Sequence, residues 1–473
     1  MNKLKSYIYL NNPQNLNRIN EPVMTKLMFH EIEVEEKLIQ LRDDNGQEVA
    51  YQLVDKVYGS DNRLLEATMV YLVSMNSGEL AKRYTLLLND QESCSENFEG
   101  IKKLKVEQSD GFRRLDTGYY ILELCEGTAD GTSYGKWGIR YFKSKEEDFN
   151  LIKDYSNAIG GFYGPFFTPK NGLVNPPEHT IAKITVEEEG PLYHRYIFEG
   201  KIPNGLDPNL RDKSFRITWE FFYGTPWFRR KYDVDEFSTT VDQSPVVNKI
   251  TVGDEFESGQ GNRVFDRFAT YGETIFRAGD PYASILYDGV YKLLNEATAE
   301  TNPKIKTYRD SIGADDLNDV SWDYFWRLFA TEAKILSEGE IKEHVEDIIP
   351  EAHDVVYHTD RYDNVQISGN GVDVNSVPEQ TIFAMNANKT AHINDASGYK
   401  MVWYTSNVVS NYQIVQRNDS GWVNWGTNGE NEYPELPVGS TIYTAYGQFD
   451  RWEDIADAME KNIYSKQGKF ESL

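Results

Sequence analysis

Ser214–Tyr223, which reads SFRITWEFFY, shows the clearest alternation of apolar and polar residues in the chain. The odd-numbered positions from Phe215 to Phe221 are all apolar, and the even-numbered positions from Arg216 to Glu220 are all polar. A period of two places alternate side chains on opposite faces of an extended strand. The segment therefore predicts a β-strand with one buried face.

Similar β-strand patterns recur along the chain and are separated by turn signals such as Glu189–Pro191 and Tyr223–Pro226. Many strands joined by short turns predict antiparallel sheets packed as a sandwich or supersandwich. We therefore expect an all-β protein with few short helices. The segments with this pattern are Ile181–Glu188, Tyr193–Ile202, Val246–Val252 and, as an apparent strand pair, Met401–Val408 with Asn411–Arg417.

Helical periodicity is scarce. The best case is Asp450–Ile463, in which Asp450 suits the N-cap, Glu453 follows three residues later, and an apolar stripe runs along one side. Lys334–Ile349 is a second candidate, although its charge run also fits a solvated loop.

A polar stretch around residues 90–110 interrupts the strand pattern. It predicts a small N-terminal β-sandwich over residues 1–100 and a large antiparallel β-supersandwich over residues 101–473.

The chain has 49 Lys and Arg against 75 Asp and Glu, for a net charge of −26 over 473 residues. This balance argues against nucleic acid and anionic membranes as partners. The sequence has no run suited to a membrane helix and no leader pattern, so we expect a cytoplasmic protein or a trimmed mature form. Cys94 and Cys125 are expected not to form a disulfide, because a chain of this size needs no covalent staple.

Aromatic residues make up 13% of the chain. They fill sheet cores, and their faces also stack on the apolar faces of sugar rings. The irregular segment Asn157–Thr180 combines several of them with glycines and prolines, which suggests either a functional loop or a packed crossover. It offers Tyr163, Lys170 and His179 as candidate site residues.

Two adjacent strand patterns carry His194, Arg230 and Tyr232, which we take as candidate catalytic residues. Arg230 falls on the same face as Phe228 and Tyr232, and a cation on such a face needs a partner. That partner is either a buried Asp or Glu or the carboxylate of a substrate.

Further candidates for sugar binding are His392, which we expect in a polar loop, and Trp422 and Trp425, in a tryptophan-rich stretch. The two tryptophans fit a hydrophobic plug equally well. The sequence has no metal-ligand or phosphate-loop motif. We therefore expect no cofactor, with a calcium ion as the one alternative. Asp323 and Glu332 are possible members of a pair of catalytic carboxylates.

Longer segments resemble known carbohydrate-active proteins. Asn17–Val23 (NRINEPV), Ile39–Asp55 (IQLRDDNGQEVAYQLVD) and Leu80–Leu88 (LAKRYTLLL) resemble a small β-domain found in several such enzymes. Glu187–Gly200 and Phe215–Asp235 resemble the supersandwich of galactose-mutarotase-like proteins, which polysaccharide lyases and the β-domains of family 38 α-mannosidases share. The resemblance implies a large β-supersandwich and a carbohydrate as ligand, although fold analogy alone does not give function.

The main functional hypothesis is cleavage of a uronate-containing glycan by β-elimination. This reaction needs a cation for the uronate carboxylate, a base for the α-proton and an acid for the leaving oxygen. The alternatives are a glycoside hydrolase with paired carboxylates and a non-catalytic glycan-binding or mutarotase-like protein.

Overall fold

The computed structural model describes most of the N-terminal part and the C-terminal strands of the chain. The described residues are 3–13, 16–29, 32–89, 103–109, 111–128, 137–152, 158–163, 181–201, 214–235, 238–241, 244–257, 264–265, 267–270, 276–278, 357–358, 372–373, 381–416, 422–428 and 434–472.

The first six strands and the last two form an N-terminal sandwich of two sheets. One sheet has the order β29-β1-β6-β3, with β30 also pairing with β1, and the other has the order β2-β5-β4. Between them lies an apolar core that includes Ile8, Leu41, Met69 and Tyr71. Its strands are β1 (Leu4–Asn11), β2 (Arg18–Met28), β3 (Ile39–Arg42), β4 (Tyr51–Tyr58), β5 (Leu64–Met75), β6 (Ala81–Leu88), β29 (Tyr464–Gln467) and β30 (Glu471–Ser472).

Within the described residues, twenty further strands join into one curled antiparallel sheet around a second, larger core. They are β7 (Lys105–Ser109), β8 (Phe112–Asp116), β9 (Tyr120–Cys125), β10 (Gly127–Thr128), β11 (Gly138–Ser144), β12 (Ile159–Tyr163), β13 (Ile181–Glu189), β14 (Tyr193–Lys201), β15 (Ser214–Phe222), β16 (Trp227–Val234), β19 (Lys249–Phe256), β20 (Arg267–Thr270), β21 (Phe276–Ala278), β22 (Tyr357–His358), β23 (Val372–Asp373), β24 (Thr381–Ile393), β25 (Tyr399–Gln416), β26 (Val423–Gly426), β27 (Leu436–Pro437) and β28 (Thr441–Gln448). A separate hairpin pairs β17 (Ser238–Val241) with β18 (Ser244–Val247). The all-β prediction is confirmed, and the apolar side of β15 faces the large core.

The C-terminal helix is shorter than the sequence predicts. Helix α1 spans Trp452–Glu460, and Arg451 occupies the N-cap without a side-chain hydrogen bond. The assignment of Asp450 as the N-cap is therefore wrong. The apolar stripe is nevertheless present, because Trp452 and Met459 pack into the core between the two domains. Outside this helix, a 3-10 turn at Glu36–Leu38 and a 3-10 residue at Pro13, the described residues contain no helix, and Lys334–Ile349 lies outside them.

The predicted strand pair near the C-terminus is also wrong. Residues 399–416 form the single long strand β25, which pairs with β24 on both sides of a bulge. Ala387 faces Val409 and Lys389 faces Tyr404, so four residues of β25 bulge where β24 has one. The bulge interrupts the alternation without reversing the chain, which is why the sequence resembles two strands.

The two domains are joined by buried polar contacts. The Gln52 side chain on β4 accepts hydrogen bonds from the backbone N–H groups of Leu192 and Tyr193 and donates one to the Tyr193 carbonyl. Arg18 on β2 pairs with Glu21 at 2.7 Å and donates to the Ala458 carbonyl in α1. Arg18, Glu21 and Gln52 lie in the N-terminal segments that resemble a β-domain of carbohydrate-active enzymes. The contacts described here give each of these residues a structural role.

The division at residue 100 stays a prediction. The strand pairing adds that residues 464–472 lie on the N-terminal sheet, since β29 and β30 pair with β1. Among the described residues, no helix is long and apolar enough to cross a bilayer. The same residues contain no cluster of three or more His, Cys, Asp or Glu side chains arranged to hold a metal ion. Cys125 is buried and free, and Cys94 lies outside the described residues.

Candidate functional site

One row of side chains on the inner face of the large sheet combines charge with aromatic rings. Strands β14, β15, β16 and β28 are neighbours, and Tyr196, Trp219, Arg230 and Ile442 stand opposite one another in register. Directly paired residues of antiparallel strands project from the same face. Arg230 therefore enters an interior that is otherwise apolar.

Arg230 has no exposed surface, and its partner is Asp254 on β19, also fully buried. Nη2 of Arg230 lies 2.5 Å from Oδ2 of Asp254, and the indole Nε1 of Trp403 donates to the same oxygen at 2.7 Å. The guanidinium also lies over the Trp219 ring, 5.7 Å from its centroid. Of the two partners considered from the sequence, the structure shows a buried Asp.

Gly160 on β12 completes this arrangement. Its N–H donates to Oδ1 of Asp254 at 2.9 Å, and its carbonyl accepts a hydrogen bond from the Tyr232 hydroxyl at 2.8 Å. Its φ is +94°, and a Cβ there would lie 2.2 Å from the Trp219 ring and 2.9 Å from Nη1 of Arg230. Only glycine lets the backbone approach both side chains in this conformation.

The aromatic part of the site lies on the other side of Asp254. Trp403 and Trp425 stack with centroids 4.8 Å apart, and the Trp425 indole donates to the Thr390 hydroxyl at 2.9 Å. The prediction that His392 lies in a polar loop is wrong, because it is buried on strand β24. Its ring meets Trp403 edge-on at 5.0 Å. We call the set formed by Gly160, Trp219, Arg230, Asp254, His392, Trp403 and Trp425 the interior cluster.

Several nitrogens of the interior cluster lack a partner. Nε and Nη1 of Arg230 and both ring nitrogens of His392 make no hydrogen bond among the described residues. Burial lowers the pKa of His392 to about 3, so the ring is neutral at pH 7. Buried polar atoms without partners are rare in native proteins and call for a specific explanation, such as a ligand or an ordered water.

The prediction that His194 and Arg230 lie on adjacent strands is wrong, because β15 pairs between β14 and β16. His194 lies on the same inner face but belongs to a separate chain of contacts. Its Nδ1 lies 2.9 Å from the Tyr196 hydroxyl, its Nε2 lies 2.9 Å from the Gly190 carbonyl, and the Tyr196 hydroxyl donates to Glu189 at 2.9 Å. Arg113 in turn pairs with Glu189 at 3.0 Å. Burial lowers the pKa of His194, while the nearby Glu189 carboxylate opposes this shift. His194 is 2% exposed, so its imidazole is inside the domain.

The remaining candidates fall in different places. Trp425 is in the interior cluster, Tyr232 is buried beside it, and Trp422 is half-buried. The prediction that Asn157–Thr180 is irregular is wrong for Ile159–Tyr163, which form β12 and pair with β19. The backbone of Tyr163 ends β12, opposite Thr251. Lys170, His179, Asp323, Glu332 and the rest of the Asn157–Thr180 loop after residue 163 lie outside the described residues.

The sequence reasoning missed Asp254, Gly160 and Trp403. A signal for Asp254 was available, because it follows Ile250 and Val252 at the same period of two and precedes Phe256. A carboxylate on an apolar face needs a partner for the same reason as Arg230 does. Arg230 and Asp254 each need a partner of opposite charge, so the two strand patterns taken together predict that these residues pair.

No protein-family model matches the chain, and no curated protein matches its sequence. Among solved structures, the chain is similar to an α-mannosidase from Enterococcus faecalis V583 at 10% identity and a TM-score of 0.44. That match covers 99% of this chain and 46% of the other, so the chain spans about half the length of that protein.

A galactose mutarotase-like protein from Clostridium acetobutylicum is matched at 8% identity and a TM-score of 0.40, over 73% of this chain and 99% of the other. A putative aldose 1-epimerase from Escherichia coli K12 is matched at 8% identity and a TM-score of 0.35, over 73% and 100%. The solved structures similar to this chain therefore include both classes named by the sequence resemblance, the mutarotase-like proteins and the family 38 mannosidases.

Proposed function

We propose that the protein is carbohydrate-active and that the buried interior cluster forms the base of its sugar-binding site. The observation that carries this proposal is the set of four nitrogens on Arg230 and His392 that find no hydrogen-bond partner within the described part of the chain and lie among the indoles of the cluster. Sugar hydroxyl groups accept hydrogen bonds from the Arg230 nitrogens and both donate to and accept from the neutral His392 ring, and the apolar C–H face of a sugar packs against an indole.

The charge of the cluster favours an uncharged sugar at this position. Asp254 already compensates the Arg230 guanidinium, and His392 is neutral at pH 7 because burial lowers its pKa to about 3. A uronate carboxylate bound here would be a second anion facing a single cation, at the cost of desolvation. Arg230 is thus less suited to bind a uronate carboxylate than the β-elimination hypothesis requires.

Two reactions remain to be separated by their products. A β-eliminase forms an unsaturated uronate that absorbs in the ultraviolet, whereas a glycosidase releases reducing ends without that absorbance. A binding or mutarotase-like protein leaves the glycan intact. The first assay is therefore a screen of neutral and uronate-containing oligosaccharides, read by ultraviolet absorbance, by reducing ends and by ligand-dependent melting temperature.

His392→Phe is the variant that tests the site. Neither ring nitrogen makes a hydrogen bond to any residue that the structure describes, so phenylalanine fills the position without removing a described hydrogen bond. We expect the folded protein to lose sugar affinity by about tenfold or more, as for the loss of one or two ligand hydrogen bonds. Lys231→Met, at an exposed position of β16 on the opposite face, is the matched control. Unchanged affinity in His392→Phe would move the binding site elsewhere.

Arg230 needs a double variant, because Arg230→Ala leaves Asp254 buried without its cation. That single change should cost about 3–5 kcal/mol of stability. The double variant Arg230→Met with Asp254→Leu removes both charges, and we expect it to be more stable than either single variant. If the double variant folds and binds sugar like the parent protein, the ion pair is purely structural and the proposed site is wrong.

A further inference from the structure

A second surface, on the N-terminal domain, has the chemistry of a ligand-binding face. The outward side chains of β1 are Lys5, Tyr7, Tyr9 and Asn11, since Ile8 and Leu10 between them are buried in the sandwich core. Tyr9 is 51% exposed, and Tyr464, which stands opposite Asn11 on β29, is 64% exposed. Exposed aromatic rings at neighbouring positions are uncommon on surfaces without a partner.

Basic side chains frame these tyrosines. Tyr9 stands opposite Lys466 on β29 and opposite Arg83 on β6, so a row of cation, ring and cation crosses three strands. The Arg83 guanidinium lies 4.8 Å from the centroid of the Tyr7 ring, and the Lys5 ammonium lies 5.9 Å from it. We call the set formed by Lys5, Tyr7, Tyr9, Arg83, Tyr464 and Lys466 the tyrosine face.

The charge of this sheet face is opposite to that of the chain. Across its outward strand positions, four residues are basic and one is acidic, against 49 basic and 75 acidic residues in the whole chain. The basic ones are Lys5, Arg42, Arg83 and Lys466, and the acidic one is Glu471. Glu471 lies 4.0 Å from Lys5, and Asp44 in the neighbouring turn lies 3.8 Å from Arg83. Such contacts between exposed groups are weak, and an anionic ligand can replace them.

We propose that the tyrosine face binds an anionic glycan, with its sugar rings stacked on the tyrosines and its carboxylate or sulfate groups paired with Lys466 and Arg83. Flat rings on a sheet match the faces of consecutive sugars, and the local excess of cations complements the charge of the polymer. The proposal goes beyond the proposed function, because this site is formed by other strands, and it gives a uronate-containing glycan a binding position other than Arg230.

Binding of the intact protein to polygalacturonate, to a sulfated polysaccharide and to a neutral mannan tests the proposal. The carboxylated and sulfated polymers distinguish the two kinds of anionic group. We expect the parent protein to bind at least one anionic polymer more tightly than mannan, and binding should weaken as NaCl rises from about 0.05 to 0.5 M. Equal binding to mannan, or no dependence on salt, would overturn the assignment to an anionic glycan.

Two pairs of variants separate stacking from charge. Tyr9→Ala with Tyr464→Ala should weaken polymer binding by about tenfold, and Arg83→Glu with Lys466→Glu by at least as much. Matched controls are Tyr58→Ala, a 45% exposed tyrosine of the other sheet, and Lys231→Glu on the large domain. Parent-like binding in both double variants would overturn the proposal.

A single-stranded oligonucleotide of similar charge is the competing polyanion. If it binds as tightly as the glycan, the tyrosine face is a general anion surface and the proposal fails. The result is separable from the proposed function, because variants of the tyrosine face should keep any small-sugar affinity that His392→Phe removes. Loss of both kinds of binding in a tyrosine-face variant that remains folded would contradict two independent sites.

Discussion

Buried polar residues decide the interior of the large domain. Arg230 and Asp254 are fully buried within an aromatic core, where they form an ion pair with each other. His392 is different, because among the described residues it has ring contacts but no hydrogen bond. An imidazole held this way is tolerated only in its neutral form.

The neutral state of His392 predicts acid sensitivity. Its pKa is about 3 in the folded protein against 6.5 for the unperturbed group, so below pH 6.5 the unfolded chain takes up a proton that the folded protein does not. The contribution of the neutral His392 to the free energy of unfolding is complete above pH 6.5. It is lost as the pH falls toward 3, at about 1.4 kcal/mol per pH unit. Between pH 7 and pH 4 we expect the free energy of unfolding of His392→Phe to fall by about 3 kcal/mol less than that of the parent protein.

Urea unfolding of both proteins at several pH values measures this difference. Parallel pH profiles for parent and variant would show that His392 is not buried in the neutral form. The variant itself should be at least as stable as the parent at pH 7, because it removes two unsatisfied polar atoms.

Gly160 predicts a steric effect that can be separated from backbone strain. Gly160→Ala places a Cβ 2.2 Å from Trp219, whereas a Cβ at Gly78, with a similar φ of +105°, meets nothing within 4 Å. Both substitutions strain the backbone, by more than about 1 kcal/mol. Gly160→Ala should cost at least about 1 kcal/mol more than Gly78→Ala, because it also displaces the interior cluster. Equal melting temperatures for the two variants would show that Trp219 and Arg230 adjust without strain.

At the scale of elements, strand β4 attaches the small sandwich to the large sheet. Gln52 is 9% exposed and makes three hydrogen bonds to backbone groups around Tyr193 at the start of β14. Gly190 leaves the space for it, since a Cβ there would lie 2.1 Å from the Gln52 side chain. Arg195 and Asp55 add an ion pair at 2.8 Å beside it.

Gln52→Ala should therefore destabilise the protein by about 1–3 kcal/mol, because the Leu192 and Tyr193 backbone groups lose their partner while buried. Gln47→Ala, an exposed glutamine in the preceding turn, is the matched control and should stay within about 0.5 kcal/mol of the parent. Chemical denaturation of the three proteins provides the comparison. A loss in Gln52→Ala no larger than in the control would mean that water replaces the amide without cost.

At the scale of the whole molecule, net charge opposes compactness. The chain carries −26, and repulsion among its carboxylates destabilises the folded state more than the extended unfolded chain. Many arginine side chains form ion pairs with nearby carboxylates, such as Arg229 with Glu220 and Arg216 with Glu199. These exposed or partly exposed pairs contribute little individually compared with the overall excess of acid.

The melting temperature should therefore rise as NaCl increases to about 0.2 M, since screening over roughly 8 Å weakens long-range repulsion. Calorimetry of the protein with NaCl and in the same buffer without NaCl measures the shift in melting temperature. A fall in melting temperature with salt would indicate that local ion pairs outweigh the net repulsion.

Periodicity along the chain determined the all-β class, and alternation in segments such as Ser214–Tyr223 identified the faces that the structure buries. It also placed Arg230 and Tyr232 on one apolar face and required a partner for the arginine. These inferences succeed because a strand's two faces follow directly from its sequence. The alternation pattern gave a wrong prediction at β25, where a bulge resembles a turn in the sequence. The preference for Asp at the N-cap gave a wrong prediction at Asp450, because the helix begins later.

Only the tertiary structure decided which residues meet. Asp254 lies 24 positions from Arg230, and Trp403 and His392 come from strands far along the chain, so pairing across the curled sheet brings them together. The same holds for β29, whose tyrosine and lysine join the tyrosine face through pairing with β1. Sequence specifies the faces of each strand, whereas the order and register of strands depend on burial summed over the whole sheet, which no local pattern contains.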